Sequence, residues 1–90
     1  MLFMVIERFR NQNAKAVYRR LRDEGRGFPD GLTYVGSWVT ADVARCFQLM
    51  ETNDVTLLQR WVADKSDLVE FEIVPVVAGK ETAAALAGQL

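Results

Sequence analysis

Apolar positions recur along this chain with two different periods. The opening run LFMVIERF, residues 2–9, is apolar through residue 6 and reads as a strand. Asn13 then caps a helix in which Ala14, Val17, Tyr18 and Leu21 recur at helical spacing, and Gly25 is a natural stop. The stretch GRGFPDG is turn chemistry, LTYVGSWV a second strand, TADVAR a short connection and RCFQLME a third strand. Asp54 caps a second helix, VTLLQRWVADK, with Val55, Leu58, Trp61 and Val62 on one side. In DLVEFEIVPVV, Val69, Phe71 and Ile73 alternate with Glu70 and Glu72, which predicts a fourth strand with one apolar and one polar face. The alanine-rich KETAAALAGQL predicts a short tail helix within residues 78–90.

The order β-α-β-β-α-β with a helical appendix predicts a single α+β domain over residues 1–90. It is a ferredoxin-like sandwich with both helices on one face of a four-stranded antiparallel sheet. Strands one and three lie at the centre, and Pro75 suits an edge strand, where one side needs no ladder hydrogen bond. Val69, Phe71 and Ile73 are expected to face the helices, leaving Glu70 and Glu72 on the other side. That other side does not read as wet. Leu2, Phe3, Met4, Val5 and Ile6 are apolar on both faces, and an open apolar face of this size is uncommon on a monomer. A second copy packed sheet to sheet, a dimeric α+β barrel, is the expected cover; the tail helix folded back over the face is the alternative.

Composition narrows the chemistry. Ninety residues make one small domain, and half of them are hydrophobic, high for its size. The net charge is −1, which argues against a polyanion-binding chain. Residues 1–45 carry eight basic and five acidic side chains, residues 46–90 three and seven, an asymmetry able to orient two copies. Cys46 is the only cysteine, so no internal disulfide can form, and no segment is long enough to span a bilayer. The expectation is a soluble cytoplasmic protein with no membrane partner.

The blocks YVGSWVT, RCFQLMETND, LLQRWVADKSDLVEFEIVPVV and a trailing GKE resemble the family called domain of unknown function 3303, or DUF3303, over nearly the whole chain. The resemblance implies a small, bacterial, dimeric α+β barrel protein of ferredoxin-like fold. It implies no activity and carries over no catalytic residue.

With no histidine, serine–histidine and cysteine–histidine catalysis are excluded within one subunit type, and the usual proximal haem ligand is missing. No cofactor and no metal are expected. Cys46 reads as a buried thiol and Trp61 as core. The stripe Lys15, Arg19, Arg22 and Arg26 reads as a solvated surface. RCFQLME lacks the glycine and second aromatic of RNA-recognition modules, so no nucleic acid partner is expected. Tyr34 and Trp38, four residues apart, are expected on one strand face with Gly36 leaving a gap between them. The candidate ligand site therefore lies between sheet and partner, lined by Tyr34, Trp38, Gln48 and Met50 with Glu70 or Glu72 near the rim. Two rivals stand beside this small-molecule-binding homodimer. One is an enzyme like the cofactor-free monooxygenases or small isomerases, built on Trp38 with Gln48 or a buried glutamate; the other is a structural dimer whose barrel is filled by its own side chains.

Overall fold

A computed structural model describes residues 1–90. The elements run β1 (Leu2–Phe9), α1 (Ala14–Glu24), β2 (Thr33–Val39), β3 (Arg45–Glu51), α2 (Val55–Lys65), β4 (Val69–Val76) and α3 (Gly79–Leu86), with short 3-10 turns at Arg10–Gln12 and Ala87–Gln89. The four strands form one antiparallel sheet in the order β2-β3-β1-β4, the ferredoxin-like arrangement expected from the sequence. Local chemistry sets the helix starts. The Asn13 side chain accepts a hydrogen bond from the Ala16 backbone N–H at 3.1 Å, and Asp54 accepts one from the Thr56 N–H at 3.0 Å. Gly25, at φ 73°, ends α1 in a region that side-chain-bearing residues avoid.

Strand register sorts side chains to two faces. Under the helices lie Phe3, Val5, Glu7 and Phe9 of β1, Cys46, Gln48 and Met50 of β3, and Val69, Phe71 and Ile73 of β4. Glu70 and Glu72 point the other way and are exposed, as the alternation predicts. The principal core joins Phe3, Val5, Leu32, Met50, Leu58 and Trp61, and a smaller one joins Phe9, Cys46 and Val69. Leu58 and Trp61 of α2 are buried, whereas α1 buries no residue fully. One helix is keyed into the sheet; the other stands off it.

The opposite face carries Leu2, Met4, Ile6, Phe47, Leu49, Val74 and Val76, none buried, with Arg8, Arg45 and Glu70 at one end. The tail does not cover it. Every residue from 77 to 90 is exposed, so α3 projects away from the domain, and the alternative in which it folds back over the sheet is ruled out. The Cα radius of gyration is 15.0 Å, against roughly 12 Å for a compact chain of this length. A core of ordinary packing drives the sandwich together, but nothing in one chain drives the tail onto it.

Candidate functional site

The space left under α1 is a cavity of about 110 Å³. Its floor is the middle of the sheet, where Glu7 of β1 and Cys46 of β3 are direct cross-strand partners and Gln48 sits opposite Val5. Its apolar walls include Phe9, Val17, Leu21, Phe28 and Trp61. Arg26 and Lys65 stand at its edge, brought there by the GRG turn and the last turn of α2.

Polar groups at the bottom of an otherwise apolar core are costly unless something engages them. Glu7 is only 9% exposed and Gln48 4%. Burial pushes the Glu7 carboxyl above its ordinary value, partly offset by a hydrogen bond with the Cys46 thiol and by the positive charge of Arg26. Desolvation and the neighbouring Glu7 together push the Cys46 thiol up to about 12, so it stays protonated and is no nucleophile. The buried-thiol expectation therefore holds. The Gln48 amide donates to the Met50 sulfur at 3.2 Å, while its carbonyl oxygen accepts from no protein donor. Glu7 and Gln48 both line the cavity, and no side-chain nitrogen or oxygen is both buried and without a partner. The Glu7 oxygen not engaged by Cys46 and the Gln48 carbonyl therefore keep some accessible surface. Together they form a floor of hydrogen-bond acceptors, with the Glu7 carboxyl able to donate as well when protonated.

The mouth is held by aromatic stacking and one backbone bond. The Arg26 guanidinium lies 4.0 Å from the Tyr34 ring centroid, and the Arg26 carbonyl accepts from the Trp61 indole N–H at 2.9 Å. Phe28 packs against both Tyr34 and Trp61. Gly27, at φ 68°, lets the Lys65 ammonium approach the turn: a β-carbon there would sit 3.2 Å from Nζ. Arg20 also borders the cavity but is spoken for, forming a two-pronged pair with Asp67 that holds that carboxyl down to about 2. Arg26 thus departs from its expected place in a solvated helix stripe, because α1 ends at Glu24 and the turn swings the side chain back over the sheet.

The residues expected to share a site are divided between the two faces. Tyr34, Gln48 and Met50 lie under the helices, and Trp38, Glu70 and Glu72 on the open side. Register accounts for part of this: Gln48 and Met50 pair with Val5 and Phe3 on the helix side of β1, while Glu72 and Glu70 pair with Ile6 and Arg8 on the other. A bulge accounts for the rest: Tyr34 pairs with Met50 but Gly36 with Leu49, so Val35 is an extra residue and the alternation restarts after it. Tyr34 and Trp38 are therefore on opposite faces, and the gap at Gly36 is covered by the Trp38 indole itself, 3.4 Å from where a β-carbon would be. Tyr34 instead bonds the Ser37 hydroxyl at 2.7 Å. Glu70 is met by Arg10 of its own chain at 3.2 Å. Glu7, Arg26 and Lys65 are the site residues that sequence reasoning missed. A charged residue in the apolar run of a central strand, at the in-phase position after Phe3 and Val5, was the available signal for Glu7.

No group of three or more histidine, cysteine, aspartate or glutamate side chains is placed to hold a metal ion, and no helix is long and apolar enough to cross a membrane. The model of the family described as Domain of unknown function (DUF3303) matches residues 1–90, the whole chain. No curated protein and no solved structure is similar enough to the chain to count as a match.

Proposed function

From the chain's membership of the DUF3303 family, a domain of unknown function, we propose a homodimeric protein that binds a small molecule in the hollow beneath α1. The observation that carries the binding role is the polar floor: Glu7 and Gln48, both buried residues, line a cavity with apolar walls, and the Gln48 carbonyl accepts from no protein donor. Few convergent polar groups in an apolar recess are the usual makeup of a ligand site. A protein needing only a filled core would place aliphatic residues at these two central positions. The sheet–partner gap has weaker support as the ligand site, because Glu70 is already paired and Gln48 and Met50 face away from it.

The dimer rests on the uncovered sheet face and the projecting tail. Seven partly exposed apolar side chains on one face, with Trp38 60% exposed beside them, form a patch that a second copy would bury. An eight-residue helix whose every residue is exposed is marginal alone in water, since isolated helices need about 12–15 residues. A second copy supplies a surface for both. The enzymatic alternative built on Trp38 with Gln48 loses its pair, since the two lie on opposite faces.

Two measurements test this reading. Sedimentation velocity at micromolar concentration should return a dimer, and Leu49→Glu should return a folded monomer; a wild-type monomer at high micromolar concentration overturns the assembly. A thermal-shift screen of single-ring compounds should find stabilisers of the wild type that Val17→Phe, which fills the hollow, no longer responds to. Equal responses from both proteins overturn the site.

A further inference from the structure

Resting on that reading of the hollow, we propose that its occupant is a single aromatic ring bearing a hydroxyl at the inner end and a carboxylate at the outer end, a phenolic monocarboxylate. The inner and outer ends of the cavity differ in kind. Inside, the Gln48 carbonyl accepts from no protein donor and the Glu7 carboxyl, met on the protein side by the Cys46 thiol, has further acceptor capacity, so this end calls for a ligand donor. At the mouth, Arg26 and Lys65 are cationic, and Arg20 beside them is matched by Asp67. Glu7 is the only acidic side chain on the lining, so the outer end is a place for an anion.

Lys65 is the more informative of the two cations. Its side chain is 15% exposed, yet the carboxylate that meets it is that of Asp64, 3.4 Å away and itself mostly in water. A lysine whose side chain is largely covered and whose counter-ion is so exposed gains from a second anion. Between the two ends lie the rings of Phe9, Phe28 and Trp61, which favour a flat apolar middle. Size limits the ligand further. A cavity of about 110 Å³ falls below the roughly 300–1,000 Å³ of pockets for drug-sized molecules, which leaves room for one ring and small substituents.

Isothermal titration of the full chain with 4-hydroxybenzoate, benzoate, 4-hydroxybenzyl alcohol and tyramine separates the parts. The 4-hydroxybenzoate should bind tightest, with benzoate and the alcohol each weaker by about tenfold, the effect of one charge-assisted hydrogen bond. Lys65→Met and, independently, Arg26→Gln should weaken the two carboxylates and leave the alcohol unchanged. Glu7→Gln should narrow the preference for 4-hydroxybenzoate over benzoate. If benzoate matches 4-hydroxybenzoate, the inner donor is wrong; if tyramine binds tightest, the outer anion is wrong, and in either case the hollow is still a binding site. Failure of all four to bind overturns the ligand class and, together with a silent single-ring screen, the site itself.

Discussion

Leu21 and Leu58 sit near the middle of two eleven-residue helices that cover the same face of the same sheet, yet their surroundings differ. Leu58 is 1% exposed and packs among Phe3, Val5, Met50 and Trp61. Leu21 is half-buried and borders a cavity. The β-strand residues beneath them account for the contrast. Below α2 the central strands offer Phe3, Val5 and Met50; below α1 they offer Glu7, Cys46 and Gln48, small or polar groups that leave space and need partners. A helix can be strongly amphipathic and still not seat fully when the floor opposite it is built for something else. The α2 side also borders a groove, lined by Val55, Leu58, Val62 and Ile73 among others, but what lies around Leu58 is mostly apolar, whereas the space beside Leu21 is floored by polar groups.

Leu58→Ala should cost about 3–5 kcal/mol, because almost the whole side chain is buried among core residues, whereas Leu21→Ala should cost only about 1 kcal/mol, since Leu21 is only half-buried. Urea unfolding of both variants checks this, and equal losses would mean that the hollow is not a feature of the folded chain. Phe71 packs against both clusters, so Phe71→Ala should fall between them, at about 3 kcal/mol. A loss as small as that of Leu21→Ala would show the two halves to be uncoupled.

A pH series sharpens the contrast at the floor. In the unfolded chain Glu7 ionises near its ordinary value of 4.5, and in the fold burial lifts it higher. The folded state thus binds more protons across that interval, and this group's contribution falls as pH rises through 4.5 and levels off beyond the folded value. Glu7→Gln removes the effect, so the variant's stability relative to wild type should rise between about pH 4 and about pH 8. An unchanged difference across that range would place the carboxylate in water. The smallest effect belongs to the other face, where Glu70→Gln with Glu72→Gln should change stability by no more than about 0.5 kcal/mol, both being exposed.

Most of the fold was legible because its signals are local. Asn13 and Asp54 announce their helices, the alternation in β4 assigns its faces correctly, and Pro75 falls on an edge strand. The site was less legible, for two reasons. Counting by twos from Tyr34 to Trp38 assumes an unbroken ladder, and Val35 breaks it. Arg26 and Lys65 converge from segments far apart in sequence, and only the tertiary path of the GRG turn brings them to the same opening. Cap and period are properties of a few neighbouring residues, whereas a cavity is a property of what several elements decline to fill.

The bulge in β2 also bears on how the length of this chain can change. In a regular strand, losing one residue turns every following side chain to the opposite face. Removing Val35 would do the reverse, placing Gly36 directly after Tyr34 and restoring an even ladder in which Tyr34 still meets Met50 and Trp38 still meets Phe47. Val35 is half exposed and lies on an edge strand, so little packing depends on it. At this point the sheet can be shortened without any core residue changing its neighbours.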